Sequence, residues 1–227
     1  MNSKDNWFPL DDEQHEAQLS FLRELPRPGP VLDLGCGDGR LLVPLSEAGF
    51  RVTGVDNDEE ALAACRGRLP ADTAAELHAG DFLTDELPGL KAGSYAAVLC
   101  LGNTFTLIHE PLSAVKLLKR IHDLLQPGGT FYIDAFCEDM WREVAEGYWQ
   151  EGLSETGEAQ LLWVPGDNVI ALRYDEEVDI EADQVREKDR LYRLWTYGEL
   201  RLLSELSGLA PPRVHREGYL VGMSRFR

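Results

Sequence analysis

Three glycines at alternate positions, Gly35, Gly37 and Gly39, stand between a short apolar run, Val31 to Leu34, and apolar residues at helical spacing, Leu41, Leu42, Leu45 and Ala48. Strand, glycine turn and helix in that order build a site for a nucleotide-like ligand, because residues without a Cβ let bare backbone approach it. A pyrophosphate fingerprint, G-x-G-x-x-G, needs its third glycine where Arg40 stands. No Lys-Ser or Lys-Thr pair follows the turn, which excludes a phosphate-binding P-loop. What remains is G-x-G-x-G with Asp33 two positions before its first glycine, a pattern that suits a nucleoside without a phosphate chain. With Asp33 and Asp38 beside the turn, a positively charged sulfonium ligand matches the local charge.

Two more acids follow at the ends of apolar runs. Val52-Thr53-Gly54-Val55 ends in Asp56, followed by Asn57. Asp56 lies at the distance beyond the first glycine, ~20 residues, where such folds set a carboxylate on ribose hydroxyls. Leu77-His78-Ala79-Gly80 ends in Asp81 and Phe82, a carboxylate able to accept an adenine amino group and a ring able to pack on the base. Either acid alone reads more readily as a helix cap or a loop acid. The ordered set of three, at successive strand ends, carries the site.

In these segments the chain resembles the class I S-adenosylmethionine-dependent methyltransferases. VLDLGCGDGR, VTGVDND and HAGDF are similar to the family's first three cofactor motifs, Tyr95 to Asn103 to its fourth, and Leu124 to Thr130 to the turn before its fifth strand. The likeness runs from about Pro30 to Phe136, and more loosely through Trp195 to Leu209. It implies S-adenosyl-L-methionine as cofactor, S-adenosyl-L-homocysteine as product and no metal. Gly35, Gly37 and Gly39 would surround the methionine moiety, with Asp33 and Cys36 in the same loop. Asp56 and Asn57 would serve the ribose, Asp81 and Phe82 the adenine, and the Leu101 and Gly102 backbone the methionine amine.

Methyl transfer from a sulfonium asks for alignment and exclusion of water more than for acid–base chemistry. Leu101-Gly102-Asn103-Thr104-Phe105 resembles the LGN-S-F segment of glycine N-methyltransferases, in which the glycine carbonyl and the asparagine face the amine substrate. Gly102 and Asn103 are therefore the substrate-side candidates, Asn103 as a positioning residue. Those enzymes hold a substrate carboxylate with an arginine just past the fifth strand; here the stretch reads Ile133-Asp134-Ala135-Phe136, which argues against glycine itself. The Asp/Asn-Pro-Pro-aromatic segment of DNA amino-methylating enzymes is absent. His109 is a candidate base or a helix-start residue. Trp7, Phe8, Trp141, Tyr148 and Trp149 are candidates for an aromatic lid or for core.

The elements that position these residues alternate. Asp11 to Leu25 reads as a first helix, strands follow near 31, 52, 75, 95 and 130, and helices run to 48 and to about 67. Leu112, Val115, Leu118, Ile121 and Leu125 form the core stripe expected of a helix from Pro111. This predicts an α/β fold: a Rossmann-like, doubly wound, mostly parallel sheet with ligands at the carboxyl ends of its strands. Past the fifth strand, Leu161–Val164, Val169–Tyr174 and Arg190–Leu194 read as an inserted antiparallel β ribbon, turning at Pro165 to Asn168. Thr196-Tyr197-Gly198-Glu199 is a capping box that opens a last helix, ended by Gly208, before closing strands within Arg213 to Arg227. The expected organisation is one methyltransferase domain, with residues 1–29 as helix or lid, 30–136 as cofactor-binding core, 137–194 as ribbon and 195–227 as last helix and strands.

Forty acids against 22 bases give a net charge of −18, which disfavours nucleic acid as a partner. The base-rich stretch Val185 to Arg193 alternates with acids and reads as a solvated strand face. No apolar run reaches the ~20 residues of a membrane span, and the first twenty residues lack a signal-peptide pattern. Four cysteines without a C-x-x-C pair suit a reducing compartment, so a cytoplasmic location is expected. These features predict methylation of a small molecule on nitrogen or oxygen by in-line transfer. The alternatives are a methyltransferase of protein or RNA, needing an open groove with clustered bases, or a non-catalytic S-adenosylmethionine-binding domain, closed on its substrate side.

Overall fold

The computed structural model describes residues 12–25, 29–84, 89–134, 159–174, 178–179 and 183–227. Seven strands form the main sheet: β1 (Val31–Leu34), β2 (Val52–Asp56), β3 (Glu76–Ala79), β4 (Tyr95–Cys100), β5 (Leu125–Asp134), β9 (Arg213–His215) and β10 (Leu220–Ser224). Their order is β3-β2-β1-β4-β5-β10-β9. The first five run parallel, while β10 pairs antiparallel with β5 and β9. β6 (Ala159–Trp163), β7 (Val169–Tyr174) and β8 (Arg190–Arg193) make a separate antiparallel sheet, the expected ribbon.

Both faces of the main sheet are covered, and the period of two along its strands shows how. Val98 and Cys100 of β4, with Phe131 and Ile133 of β5, join a core with Leu118 and Ile121 of α4 (Pro111–Leu124) and Leu200 and Leu203 of α5 (Tyr197–Ser207). Ala97 and Leu99, with Tyr132, face the other way. They meet Leu19 and Leu22 of α1 (Asp12–Arg23), Leu42 and Leu45 of α2 (Leu42–Glu47), and Leu62 of α3 (Glu59–Arg68). Strands buried on both sides read as near-continuous apolar runs, which is why Tyr95 to Cys100 lacks alternation and Val31 to Leu34 is broken only by the buried Asp33.

Two expectations are corrected. Leu112 is 74% exposed, and the stripe α4 turns inward is Ala114, Leu117, Leu118, Ile121 and Leu124. A strict three-residue spacing drifts round the helix, and nine positions before Ile121 put Leu112 on the face opposite the buried stripe. The glycine turn before the fifth strand is instead the bulged start of β5: its register on β4 passes from Tyr95↔Leu125 to Ala97↔Thr130. A Cβ on Gly129 would lie 2.8 Å from the Tyr95 carbonyl, so the bulge requires that glycine.

The capping box of α5 forms as expected. The Thr196 hydroxyl accepts from the Glu199 amide at 3.2 Å, the Glu199 carboxylate accepts from the Thr196 amide at 2.7 Å, and Gly208 closes the helix at φ 77°. The ribbon is tied to this corner by Arg193, whose solvated-face reading fails. It is 4% exposed, donates from Nη2 to Asp167 at 2.7 Å, from Nη1 to Glu199 at 3.2 Å and from Nε to the His109 carbonyl at 2.6 Å, and lies 5.2 Å over the Trp195 ring. Charge alternation along β8 hid a side chain that faces inward. Trp7, Phe8, Cys137, Trp141, Tyr148 and Trp149 lie outside the described residues.

Candidate functional site

Strand order reverses between β1 and β4, and ligands of open α/β sheets bind outside the carboxyl ends of the strands at such a point. A cleft of about 310 Å³ opens there. Gly35 after β1, Asp56, Asn57 and Asp58 after β2, and Asp81, Phe82 and Leu83 after β3 line one part of it; Thr104 and Leu107, in the 3₁₀ turn after β4, and Arg190 of β8 line the rest.

The turns are held by their own acids. Gly37 takes φ 53°, and its amide donates to Oδ2 of Asp56 at 2.7 Å while the Asp58 amide donates to Oδ1 at 2.9 Å. Asp58 caps α3, accepting from the Glu60 and Ala61 amides, which hold its carboxyl below the usual range. Asp81 accepts from the Leu83 amide at 2.8 Å and the Thr84 hydroxyl at 3.1 Å, and Arg120 of α4 donates to the Phe82 carbonyl at 3.3 Å. Each Asp56 carboxylate oxygen keeps a second lone pair beyond these bonds.

The glycines differ in role. A Cβ at Gly37 would meet nothing within 4 Å, so that backbone faces open space. A Cβ at Gly35 would lie 2.6 Å from the Thr104 side chain, and one at Gly39 would lie 2.7 Å from Cys65 Sγ and 2.8 Å from Val43. Gly39 thus lets the loop close on α2 and α3. Cys36 is buried beside Gly54, which a Cβ would push within 2.7 Å of its sulfur, and burial drives its thiol well above the ordinary range. Beneath the loop Asp33 is buried at the end of β1; burial pushes its carboxyl up to about 7, Asp56 and Asp134 add to the rise, and Arg40 opposes it.

On the β4 side, Gly102 (φ 73°) and Asn103 (φ 62°) take left-handed conformations in succession. The Asn103 amide donates to Oδ2 of Asp134, at the end of β5, at 2.7 Å. The Thr104 and Thr106 hydroxyls donate to the Leu101 and Asn103 carbonyls at 2.8 and 2.6 Å and pin the turn. Asn103 is 3% exposed, and Leu101 is buried too. Asp134 also accepts from Gln18 Nε2 of α1 at 2.6 Å. Arg40 donates to Gln18 Oε1 at 3.2 Å and to His15 Nδ1 at 2.9 Å.

Of the sequence candidates, Gly35, Asp56, Asn57, Asp81 and Phe82 meet at the cleft. Asp33, Cys36, Gly37, Gly39, Leu101, Gly102 and Asn103 form the loop and turn around them, and His109 contributes its carbonyl to Arg193 instead of a cleft wall. Sequence reasoning missed Thr104, Leu107 and Arg190 on the walls, and Gln18, Arg40 and Asp134 behind them. Arg190 carried no signal beyond its place in a charged stretch. Asp134 stood out only as a position lacking an arginine. Among the described residues no group of His, Cys, Asp and Glu could hold a metal ion, and no helix is long and apolar enough to cross a membrane.

This arrangement fits an adenosyl ligand on its own chemistry: a carboxylate with spare lone pairs at the end of β2, a second carboxylate with an aromatic ring beside it after β3, open space over Gly37, and no basic cluster for phosphates among the described lining residues. Comparison with known proteins agrees. Residues 31–129 match a family model described as "Methyltransferase domain". The chain is 31% identical over 183 residues to trans-aconitate 2-methyltransferase of Rhodopseudomonas palustris, covering 75% of this chain and 67% of that one. It is 30% identical to the glycine/sarcosine N-methyltransferase of Halorhodospira halochloris over 57% of this chain and 50% of that enzyme. The CcbJ methyltransferase of Streptomyces caelestis shares the fold, with a TM-score of 0.65 over 96% of this chain and 97% of that one at 18% identity.

Proposed function

Because this chain belongs to the class I S-adenosylmethionine-dependent methyltransferases, we propose that it methylates a small molecule on nitrogen or oxygen. The observation that carries this reading is the cleft's continuity: the walls formed by Asp56, Asp81 and Phe82 run into Thr104 and Leu107, and Arg190 of the ribbon adds a side. Among the described lining residues Arg190 is the one base, whereas an RNA or basic-groove enzyme calls for clustered bases. The chain's −18 charge supports the same choice. The trans-aconitate and glycine/sarcosine enzymes act on small molecules by name, which adds to it.

In this reading Asp56, with Asn57, takes the ribose hydroxyls, and Asp81 with Phe82 takes the adenine. Gly35, Cys36 and Gly37 bring backbone to the methionine moiety. The ionised Asp33 and the Leu101 and Gly102 carbonyls face its ammonium. S-Adenosylmethionine supplies an electrophilic methyl group on a good leaving sulfur. The protein's share is alignment and exclusion of water. Gly102 and Asn103 hold the acceptor in line, on a turn fixed by Thr104, Thr106 and Asp134.

The test is incubation with methyl-labelled S-adenosylmethionine and a panel of amines, phenols and carboxylic acids, beside protein and RNA fractions. Label in a low-molecular-weight product is expected. Label confined to protein or RNA, or none transferred although the cofactor binds, overturns the proposal.

A further inference from the structure

We propose that α1 is a working part of the acceptor side, with Gln18 and Asp134 as positioning residues that hold the Gly102–Asn103 turn in its transfer-competent shape. The inference rests on the acceptor-side reading of that turn. Its basis is an unbroken run of hydrogen bonds in which every donor meets an acceptor. Arg40 Nη1 donates to Gln18 Oε1 at 3.2 Å, Gln18 Nε2 donates to Asp134 Oδ1 at 2.6 Å, and the Asn103 amide donates to Asp134 Oδ2 at 2.7 Å.

Gln18 is wholly buried, Asp134 is 8% exposed, and Asn103 is 3% exposed. A glutamine on an otherwise apolar helix face, beside Leu19 and Leu22, costs stability unless its amide is satisfied. Here both of its ends are used, each on a different element. Asn103 adopts φ 62°, a left-handed conformation that asparagine tolerates better than other residues with a Cβ. Its amide is held there by Asp134, whose other oxygen accepts from Gln18. Arg40 closes the circuit: it follows the glycine turn directly, and its Nη2 stands 3.6 Å from where a Cβ on Gly102 would be. The loop after β1, the turn after β4, the end of β5 and the first helix are thus one bonded unit. Seating α1 sets the acceptor turn.

Reciprocal substitution tests this. Asp134→Asn alone leaves one amide nitrogen facing either the Gln18 donor or the Asn103 amide. Gln18→Glu alone sets two carboxylates against each other. The double variant Gln18→Glu/Asp134→Asn restores every pairing with the direction of the bond between positions 18 and 134 reversed. The amide then at position 134 donates its N–H to the carboxylate at position 18, and its carbonyl accepts from the Asn103 amide. The carboxylate at position 18 still accepts from Arg40. Charge is conserved. Amide hydrogen exchange of the Leu101–Phe105 segment is the first measurement and S-adenosylhomocysteine affinity the second. Each single variant is expected to speed exchange there by about tenfold or more, the scale of one lost charge-assisted bond. S-adenosylhomocysteine affinity should fall in the single variants, because the Leu101 and Gly102 carbonyls proposed to face its ammonium belong to the same turn, and the double variant should return both exchange and affinity to near the parent values. With an acceptor from the labelled panel, kcat should fall in the single variants and recover in the double.

A double variant no better than the singles, or single variants that exchange normally in this segment, overturns the inference. So does a recovered turn without recovered kcat. The exchange arm needs no acceptor, so failure of the panel bears on the proposed function and leaves this inference to be decided separately.

Discussion

The Gly37 amide donates to Oδ2 of Asp56 across 2.7 Å, so the loop after β1 and the turn after β2 are joined by the protein itself. The same carboxylate accepts the Asp58 amide through its other oxygen. Two turns proposed to act together on one ligand are therefore set by one side chain.

Asp56→Ala removes this tie together with the proposed acceptor of the ribose hydroxyls. S-adenosylhomocysteine binding should weaken by roughly 1.5–3 kcal/mol, the range of a hydrogen bond to a charged group. Isothermal titration calorimetry reads it directly. Unchanged affinity would remove Asp56 from the cofactor site.

Gly37→Val tests the loop from the ligand's side. No protein atom lies within 4 Å of a Cβ there, so packing does not oppose the substitution, although φ 53° adds strain of about 1–3 kcal/mol. The side chain would instead fill the space that the adenosyl ligand needs. The variant should remain folded by circular dichroism and lose cofactor binding. Normal affinity would mean that the ligand approaches elsewhere.

Much of this was legible in the sequence, and the pattern of success is physical. The Thr196–Glu199 box is a local signal, fixed by neighbours within one turn of chain, and it forms as read. Gly35, Asp56 and Asp81 stand at the ends of apolar runs in the sequence, and they lie at the ends of β1, β2 and β3. Parallel strands buried on both faces announce themselves as apolar runs, which gave the order of elements. What failed to show depends on contacts between distant segments. Arg193 looks like one charge among many until β8 folds onto the His109 carbonyl, 84 positions away. The bond from Gln18 to Asp134 spans 116 positions. Nothing in either residue's own surroundings tells that their side chains meet. Leu112 shows the converse: a strict three-residue series counted it into the stripe, yet nine positions before Ile121 it falls on the opposite face and is exposed.

Asp33 gives a pH prediction. Its folded-state carboxyl sits at about 7 against about 4 for an unfolded chain, first through burial and then through Asp56 and Asp134, with Arg40 opposing. The native protein therefore holds a proton that the unfolded chain has released between those values. Stability from this site is full below about 4 and is lost as pH rises through 7, by an amount of up to about 4 kcal/mol. Asp33→Asn should raise the melting temperature of the free protein at pH 8 and have little effect at pH 4.5. Because the proposed role needs the ionised form, S-adenosylhomocysteine affinity of the parent should also fall about tenfold per unit as pH drops below 7. Calorimetry in a pH series checks both, and a flat affinity profile from pH 8 to 6 would separate Asp33 from the ligand's ammonium.

Arg193 decides whether the ribbon belongs to the working enzyme. Its guanidinium bridges Asp167 in the β6–β7 turn, Glu199 in the first turn of α5 and the His109 carbonyl, while lying on Trp195. Removing one partner of a buried pair costs about 3–5 kcal/mol, but Asp167 and Glu199 remain partly solvated, which lowers the expected loss to about 2–3 kcal/mol. Arg193→Met keeps most of the side-chain volume and should unfold at correspondingly lower urea. It should also be cut by protease first between β6 and β8. Since Asp56, Asp81 and Phe82 sit on other elements, S-adenosylhomocysteine affinity should change by less than about threefold, whereas turnover of a panel acceptor should suffer through the shifted Arg190. If turnover were untouched while the ribbon came loose, Arg190 would have no part in the acceptor site, and the cleft would need another wall.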